Sequence, residues 1–187
     1  MTTTFGYTLS SEEHCPSDLL AFARRAEAAS FQFLSLSDHY HPWTSAQGHS
    51  PFSWAMLGAL SRVTERVRVG VGVTCPIMRV HPAILAQATA TTSLLFEGRF
   101  FWGVGTGEAL NEHIVARRWP RPEIRLEMLE EAVGIIRALW TGQEVNHDGN
   151  IIPYTASYMI RPPSRSQYCS PPMAPNPCLW RRNMATD

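Results

Sequence analysis

The segment VRVGVGV at residues 67–73 constrains the fold more than any other part of the chain. After Arg68 it contains no polar side chain, and Val is among the residues that favour strands. A near-continuous apolar strand predicts that both faces of its sheet are covered, which is typical of parallel sheets. Because parallel strands are joined by helical crossovers, the chain around this strand should alternate between strands and helices.

The rest of the chain shows that alternation. Strands are predicted at residues 3–9, 31–38, 67–73 and 99–107. The predicted helices are one capped by Ser17, one over 52–64 that is capped by Ser50 and has Pro51 at its first position, one over 82–95 and one over 123–140. Four strand–helix units predict a right-handed parallel α/β architecture. A doubly wound sheet fits 187 residues, whereas a (β/α)8 barrel needs about 250, so the pattern alone favours the doubly wound sheet.

Composition excludes several function classes. Sixteen basic residues balance sixteen acidic ones, which argues against binding to nucleic acid or to an anionic membrane by charge. All the basic residues are Arg, so Schiff-base chemistry and a phosphate-loop Lys are excluded for this sequence. The four Cys form no C-x-x-C pair, and neither a membrane-length apolar run nor a signal peptide is visible. We expect a cytoplasmic protein that acts on a small molecule.

The end of the chain differs in composition from the rest. Residues 149–186 contain no acidic side chain, against fifteen in the first 148, and six Pro lie between 162 and 177. Such a segment is typical of a Pro-rich linker, and it also fits a shifted reading frame. We therefore divide the chain into an α/β part at 1–152 and an atypical tail at 153–187, and we expect the tail to be disordered from residue 155.

Three polar clusters follow predicted strands, where functional residues of parallel α/β folds gather. They are SLSDHYHPW with Asp38, His39, His41 and Trp43, then TCP at 74–76, then GVGTGEALNEH with Glu108, Asn111 and Glu112. His39 and a Glu108 carboxylate tuned by burial would form an acid–base pair. Trp43 would exclude solvent or hold an aromatic ligand. The alternative is a hydrogen-bonded His that closes a loop.

Two further patterns carry weaker signals. His39 and His41 have a spacing that can bind a metal, as in barrel hydrolases. GVGTGE lacks the last Gly of the dinucleotide-binding motif, so its glycines either let a ligand approach the backbone or allow tight packing of strand against helix. Cys75 has no adjacent base and is interpreted as an ordinary buried thiol.

The stretches SDHYHPW, VTCPIMRVHPAILAQA and GRFFWGVGTGEALNEHI resemble the luciferase-like oxidoreductases that use the deazaflavin coenzyme F420. The subgroup typified by F420-dependent glucose-6-phosphate dehydrogenase is the most similar, over residues 5–149. That resemblance implies a TIM (β/α)8 barrel, of which this chain would carry about the first four βα units, and a homodimer for the full-length family. It favours the barrel over the doubly wound sheet.

The resemblance also implies roles for individual residues. His39 would be the catalytic base facing a substrate hydroxyl, Trp43 would hold the substrate or the charge at the reacting carbon, and Glu108 would exchange a proton at the coenzyme ring. Asp38 would contact that ring, and Asn111 would hydrogen-bond the coenzyme.

Four more residues are implied in coenzyme binding. Gly72 and Val73 would match a backbone bulge, often with a non-prolyl cis peptide, that supports the ring. Cys75 lies where the subgroup often has Thr, and Gly107 precedes the proton-exchanging Glu108.

The expected activity is hydride transfer between a hydroxyl-bearing substrate and the deazaflavin. A sugar phosphate is among the candidate substrates, although no Lys is present to bind its phosphate. The alternatives are an FMN-dependent monooxygenase of the same superfamily, a metal-dependent barrel hydrolase using His39 and His41, and a non-catalytic remnant.

Overall fold

A computed structural model describes residues 3–147, so the predictions for the tail lie outside the described residues. The strands are β1 Gly6–Leu9, β2 Phe33–Leu36, β3 Arg68–Thr74 and β4 Phe100–Val104. The helices are α1 Pro16–Ala28, α2 Ser53–Val63, α3 Pro82–Leu95, the short α4 Ala109–Glu112 and α5 Pro122–Leu139, with a 3-10 turn at His113–Val115. Each predicted strand and helix is present; β1, β2 and β4 are shorter than predicted, whereas β3 has the predicted length and begins one residue later.

The order of the strands decides between the two predicted architectures. All neighbouring strands are parallel, and the sheet order β1-β2-β3-β4 follows the chain. A doubly wound sheet reverses its order at a switch point, whereas right-handed crossovers in one direction place every helix on the same face. Accordingly α1 contacts α2, α2 contacts α3, and α3 contacts α5. This is the order of a barrel wall, and the doubly wound sheet that the pattern alone favoured is wrong.

Only one face of the sheet is fully covered in the described part of the chain. Leu34 and Leu36 of β2 and Val69 and Val71 of β3 are buried under the helices. On the opposite face of β3, by contrast, Arg68 and Gly72 are exposed, so the prediction that both faces are covered is wrong for these residues. The segment alternates Val with Gly, and a period of two places Val69 and Val71 on the same face.

Helix α1 begins one residue before the predicted cap. Pro16 is its first residue and Cys15 is the N-cap, without a capping hydrogen bond from its side chain. Ser17 lies inside the first turn, where its Oγ is 3.0 Å from the Cys15 Sγ. Pro16 favours this start because its fixed φ suits the first helical position and it has no amide hydrogen to satisfy.

Helix α2 begins at Ser53 with Phe52 as N-cap, so Ser50 is not the cap that the sequence predicts. The Ser50 hydroxyl instead donates to the main-chain oxygen of His39 at 2.7 Å, and the Ser53 hydroxyl donates to Asp38 Oδ1 at 2.7 Å. Tertiary partners have replaced the local cap. Both serines therefore hold the loop that follows β2.

The amino-terminal end of β3 is fixed by two charged side chains. Glu27 of α1 accepts the amides of Arg66 and Val67 at 2.6 and 2.8 Å. Arg99 donates to the main-chain oxygens of Val67 and Thr64 at 2.9 and 3.1 Å. These contacts stabilise the end of the sheet opposite the polar clusters. Among residues 3–147 no helix has the length and apolar character needed to cross a membrane.

Candidate functional site

A cavity of about 270 Å³ lies at the carboxyl ends of the strands. Its walls contain every residue to which the sequence analysis assigned a catalytic or coenzyme-binding role, together with Glu112: Asp38, His39, Trp43, Gly72, Val73, Cys75, Gly107, Glu108 and Asn111. The fold therefore brings to one cavity the residues that the strand ends and the family resemblance had indicated. Their roles at the cavity remain predictions.

His39 is held by a buried carboxylate that the sequence analysis did not identify. Its Nδ1 lies 2.5 Å from Glu12 Oε1, and the two side chains are 16% and 6% exposed. Burial raises the pKa of Glu12, but contacts with His39 and Ser37 more than offset this and lower it from 4.5 to about 2. Glu12 is thus ionised at neutral pH, favours a proton on Nδ1, and leaves Nε2 as the basic nitrogen of the ring.

Trp43 contacts the same imidazole from the cavity side. The rings of His39 and Trp43 meet edge to face, with centroids 4.8 Å apart. Trp43 is 53% exposed, so in the described part of the chain it lies at the rim of the cavity. Gln47 holds the loop, because its Oε1 accepts the amides of Trp43 and Thr44 at 2.8 and 3.2 Å.

A buried charged network lies behind the cavity wall. Arg79 Nη2 donates to Asp38 Oδ1 at 3.0 Å and to the Asp38 main-chain oxygen at 2.8 Å. The Arg79 amide donates to Glu112 Oε2 at 2.8 Å, and Arg79 Nε is 3.4 Å from Glu112 Oε1. All three side chains are at least nine-tenths buried. The network joins the loops that follow β2 and β3 to helix α4.

Burial and charge act together on the pKa values around this network. Burial raises the pKa of Glu112, with a further contribution from Asp38, and hydrogen bonds from Arg79 only partly oppose this. Burial alone would lower the pKa of Arg79, yet Asp38 and Glu112 raise it, so the guanidinium stays charged. Burial and the charge of Glu112 raise the pKa of Cys75 to about 12. Cys75 is therefore a neutral, buried thiol, as the sequence predicts.

Glu108 and Asn111 lie close together in the cavity wall but differ in burial. Glu108 is exposed, so the burial that was expected to tune its carboxylate is absent from the described structure. Asn111 is 2% exposed, and its Oδ1 accepts the amides of Tyr40 and His41 at 2.8 and 3.0 Å. Its Nδ2 is 3.4 Å from Glu108 Oε2. Asn111 therefore fixes the loop beside His39 and contacts Glu108, and its predicted contact with a coenzyme remains untested.

The backbone at the end of β3 has the expected bulge. The register with β4 shifts between Val71 and Thr74, and the peptide bond between Gly72 and Val73 is cis. A Cβ on Gly105 would lie 2.8 Å from a Val73 methyl carbon. That glycine of the GVGTG segment thus makes room for the neighbouring strand, which differs from the predicted packing of strand against helix.

Gly107 is required for two reasons. Its φ is +70°, in the left-handed region that favours glycine. A Cβ at this position would also lie 2.6 Å from the Cys75 Sγ. The two residues therefore form a close contact across the floor of the cavity.

The metal-binding alternative gains no support from the geometry. The His41 ring stacks on His113 with centroids 5.5 Å apart, whereas His39 pairs with Glu12. Residues 3–147 contain no group of three or more His, Cys, Asp or Glu side chains placed to hold a metal ion. The two imidazoles thus have separate partners.

Sequence reasoning missed Glu12 and Arg79. Glu12 follows β1, so the strand-end argument that was applied to the other three strands would have identified it. Arg79 lies beyond the end of β3, and its partners are 33 and 41 positions away in the chain, so no local pattern indicates them.

Comparison with known proteins places this arrangement in a family. The sequence model described as "Luciferase-like monooxygenase" matches residues 1–180. The chain is 44% identical over 164 residues to the F420-dependent glucose-6-phosphate dehydrogenase of Kribbella flavida, covering 87% of this chain and 49% of that one. It is 45% identical over 145 residues to the Microbacterium testaceum protein of the same name, covering 78% and 43%.

A solved structure agrees with these matches. It is titled "F420-dependent secondary alcohol dehydrogenase in complex with an F420-acetone adduct" and superimposes with a TM-score of 0.81 at 38% identity. The alignment covers 88% of this chain and 50% of that chain. The chain therefore spans about half the length of the relatives it matches, and both the resemblance and the barrel-type fold class are confirmed.

Proposed function

This chain belongs to the luciferase-like monooxygenase family, and we propose that it supplies the coenzyme cavity of an F420-dependent oxidoreductase that acts on a hydroxyl-bearing substrate. The relatives are named as F420-dependent dehydrogenases. The observation that carries the proposal is that His39, which lines the cavity together with Asp38 and Glu108, is paired with an ionised Glu12 outside the lining. An oriented base beside a polar, concave site suits removal of a hydroxyl proton.

The residues present fit a flat heteroaromatic ring that carries N–H groups. Asp38 Oδ2 is buried and has no hydrogen-bond partner in the described structure, so it can accept such a group. Val73 is exposed at the bulge and offers an apolar surface to a ring face. Asp38 would hold the coenzyme by its N–H edge, and Val73 with Gly72 would support the ring.

His39 is the base in the proposed reaction. Glu12 keeps the Nδ1 proton in place, so Nε2 accepts the proton of the substrate hydroxyl. The carboxylate of Glu12 then stabilises the imidazolium that forms. Bound F420 would supply the acceptor for the hydride from the substrate carbon, so that the alcohol becomes a carbonyl compound.

Trp43 and Glu108 complete the proposed site. Trp43 lies against the His39 ring at the rim, where it can cover a bound substrate and reduce access of water. Glu108 is exposed in the same wall and would hold or release a proton at the coenzyme ring. Neither Arg nor Lys lines the described cavity, so we propose a hydroxyl-bearing substrate without assigning a phosphate group to it.

Titration of the purified chain with F420, followed by coenzyme fluorescence, tests the proposal. We expect saturable quenching by the wild-type chain, with FMN as the control ligand. Reduction of F420 is then measured with secondary alcohols and with glucose 6-phosphate. Binding of FMN without binding of F420 would instead support the monooxygenase alternative, and binding of neither would support a non-catalytic remnant.

A further inference from the structure

Three charged side chains are buried together beneath the cavity, and the catalytic proposal uses only one of them. The side chains of Asp38 and Glu112 are each 1% exposed, and that of Arg79 is 7% exposed. Two carboxylates therefore share one guanidinium. Buried charge clusters of this kind are weak sources of stability, because desolvation offsets much of their attraction. Their geometry points to a different purpose.

The two oxygens of the Asp38 carboxylate have different environments. Oδ1 accepts from Arg79 Nη2 at 3.0 Å and from the Ser53 hydroxyl at 2.7 Å. Oδ2 is buried without a hydrogen-bond partner in the described structure, and Asp38 lines the cavity. A buried acceptor without a partner is costly, so a ligand that donates to it gains the interaction that the protein leaves unmade.

Arg79 is held in turn from two sides. Its Nη2 also donates to the main-chain oxygen of Asp38 at 2.8 Å, so a single nitrogen fixes both the side chain and the backbone of that residue. Its own amide and Nε are directed to the two oxygens of Glu112. Rotation of the guanidinium would break its contacts with the loop after β2 and with helix α4 at once.

We propose that Arg79 is the positioning residue for the coenzyme cavity, because it fixes Asp38 so that Oδ2 is presented to a bound ring. This inference rests on the proposed function for the identity of the ligand. Glu112 contributes indirectly, because its carboxylate holds Arg79 in position. Arg79 itself touches no reacting atom in this assignment.

The test compares Arg79→Met with Arg79→Lys and with a matched control, Arg99→Met. Arg99 also donates to two main-chain oxygens, but it does so at the opposite end of the sheet. Thermal unfolding of each variant is measured first, and F420 affinity is then measured by fluorescence titration. Crystal structures of ligand-free wild type and Arg79→Met give the Asp38 conformation without any coenzyme.

Arg79→Met is expected to weaken F420 binding by about tenfold or more, because loss of a charged hydrogen bond frees the carboxylate. Arg79→Lys should recover part of the affinity, since an ammonium can reach one carboxylate but lacks the forked donors. Arg99→Met should retain wild-type affinity within about twofold, which is within the usual effect of a distant substitution. In the ligand-free structures Asp38 should rotate in Arg79→Met.

The inference would be overturned if folded Arg79→Met bound F420 with wild-type affinity. It would also be overturned if Arg99→Met lost as much F420 affinity as Arg79→Met. An unchanged Asp38 conformation in the ligand-free variant would overturn it as well. If Arg79→Met does not fold, Arg79→Lys replaces it in both the F420 titration and the ligand-free crystal structure. Its affinity for F420 is then expected to be weaker than that of the wild type. Failure of the wild-type chain to bind F420 would contradict the proposed function, and the ligand-free structures would then decide the positioning claim alone.

Discussion

Glu12 Oε1 and His39 Nδ1 lie 2.5 Å apart, which joins the end of β1 to the end of β2 through a buried carboxylate and an imidazole. Glu12 is ionised at neutral pH because its contacts hold its pKa near 2. The pair therefore fixes both the orientation and the tautomer of His39 before any ligand arrives. The amide of His49 also donates to the Glu12 main-chain oxygen at 3.0 Å, so the pair and the loop after β2 form one unit.

Replacement of Glu12 should affect turnover more than binding. In Glu12→Gln the negative charge behind the imidazole is lost, so we expect F420 reduction with an alcohol to slow by about 10²-fold or more, by analogy with other oriented histidines. Coenzyme affinity should change little, because Glu12 does not line the cavity. Steady-state kinetics and the fluorescence titration check the two effects. Glu13→Gln is the matched control, since Glu13 is exposed, and equal losses in both variants would contradict the assignment.

The same pair predicts how stability depends on pH. The folded-state pKa of Glu12 is about 2, below the ordinary 4.5, so its contribution is present above pH 4.5 and is lost as the pH falls toward 2. The contribution is at most about 3 kcal/mol. The difference in free energy of unfolding between wild type and Glu12→Gln should therefore shrink across that range. Denaturant titrations at several pH values measure it, and a constant difference would exclude the effect.

Two glycine substitutions should act in opposite directions. Gly107→Ala forces a side chain into a φ of +70° and against the Cys75 Sγ, so it should lower the free energy of unfolding by about 1–2 kcal/mol or more. Gly134→Ala lies on α5 with no atom within 4 Å of the new Cβ and should raise stability by about 0.5–1 kcal/mol. Thermal unfolding compares them, and a stabilising Gly107→Ala would show that this glycine is not conformationally required.

Separate substitution of the two neighbouring histidines distinguishes redox from metal chemistry. His39→Ala should reduce turnover by about 10²- to 10⁴-fold, as loss of a general base does. His41→Ala removes ring contacts with His113 and Tyr40 outside the cavity lining, so its activity should stay within about twofold. Equal losses, together with a stoichiometric metal in the purified chain, would support the hydrolase alternative instead.

The sequence predicted the strand–helix alternation, and it also predicted which residues line the cavity. Val-rich strands and helices with 3.6-residue periodicity depend on local pattern, so they could be identified without contacts. Residues 38, 75 and 108 could be placed together because parallel strands present their carboxyl ends at one edge. The caps of α1 and α2 were predicted wrongly, because Pro16 begins α1 ahead of Ser17 and because Ser50 binds the main-chain oxygen of His39 instead.

What the sequence determined by itself is therefore the set of βα units and the edge at which their polar residues meet. The family resemblance predicted the barrel, which the local pattern did not, and the strand order agrees with it. Only the tertiary structure decided the pairing of Glu12 with His39, the exposure of Glu108 and the network around Arg79. The physical reason is distance along the chain. Arg79 is 41 positions from Asp38 and 33 positions from Glu112 in the sequence. Such contacts form only once the strand order has fixed which segments are neighbours.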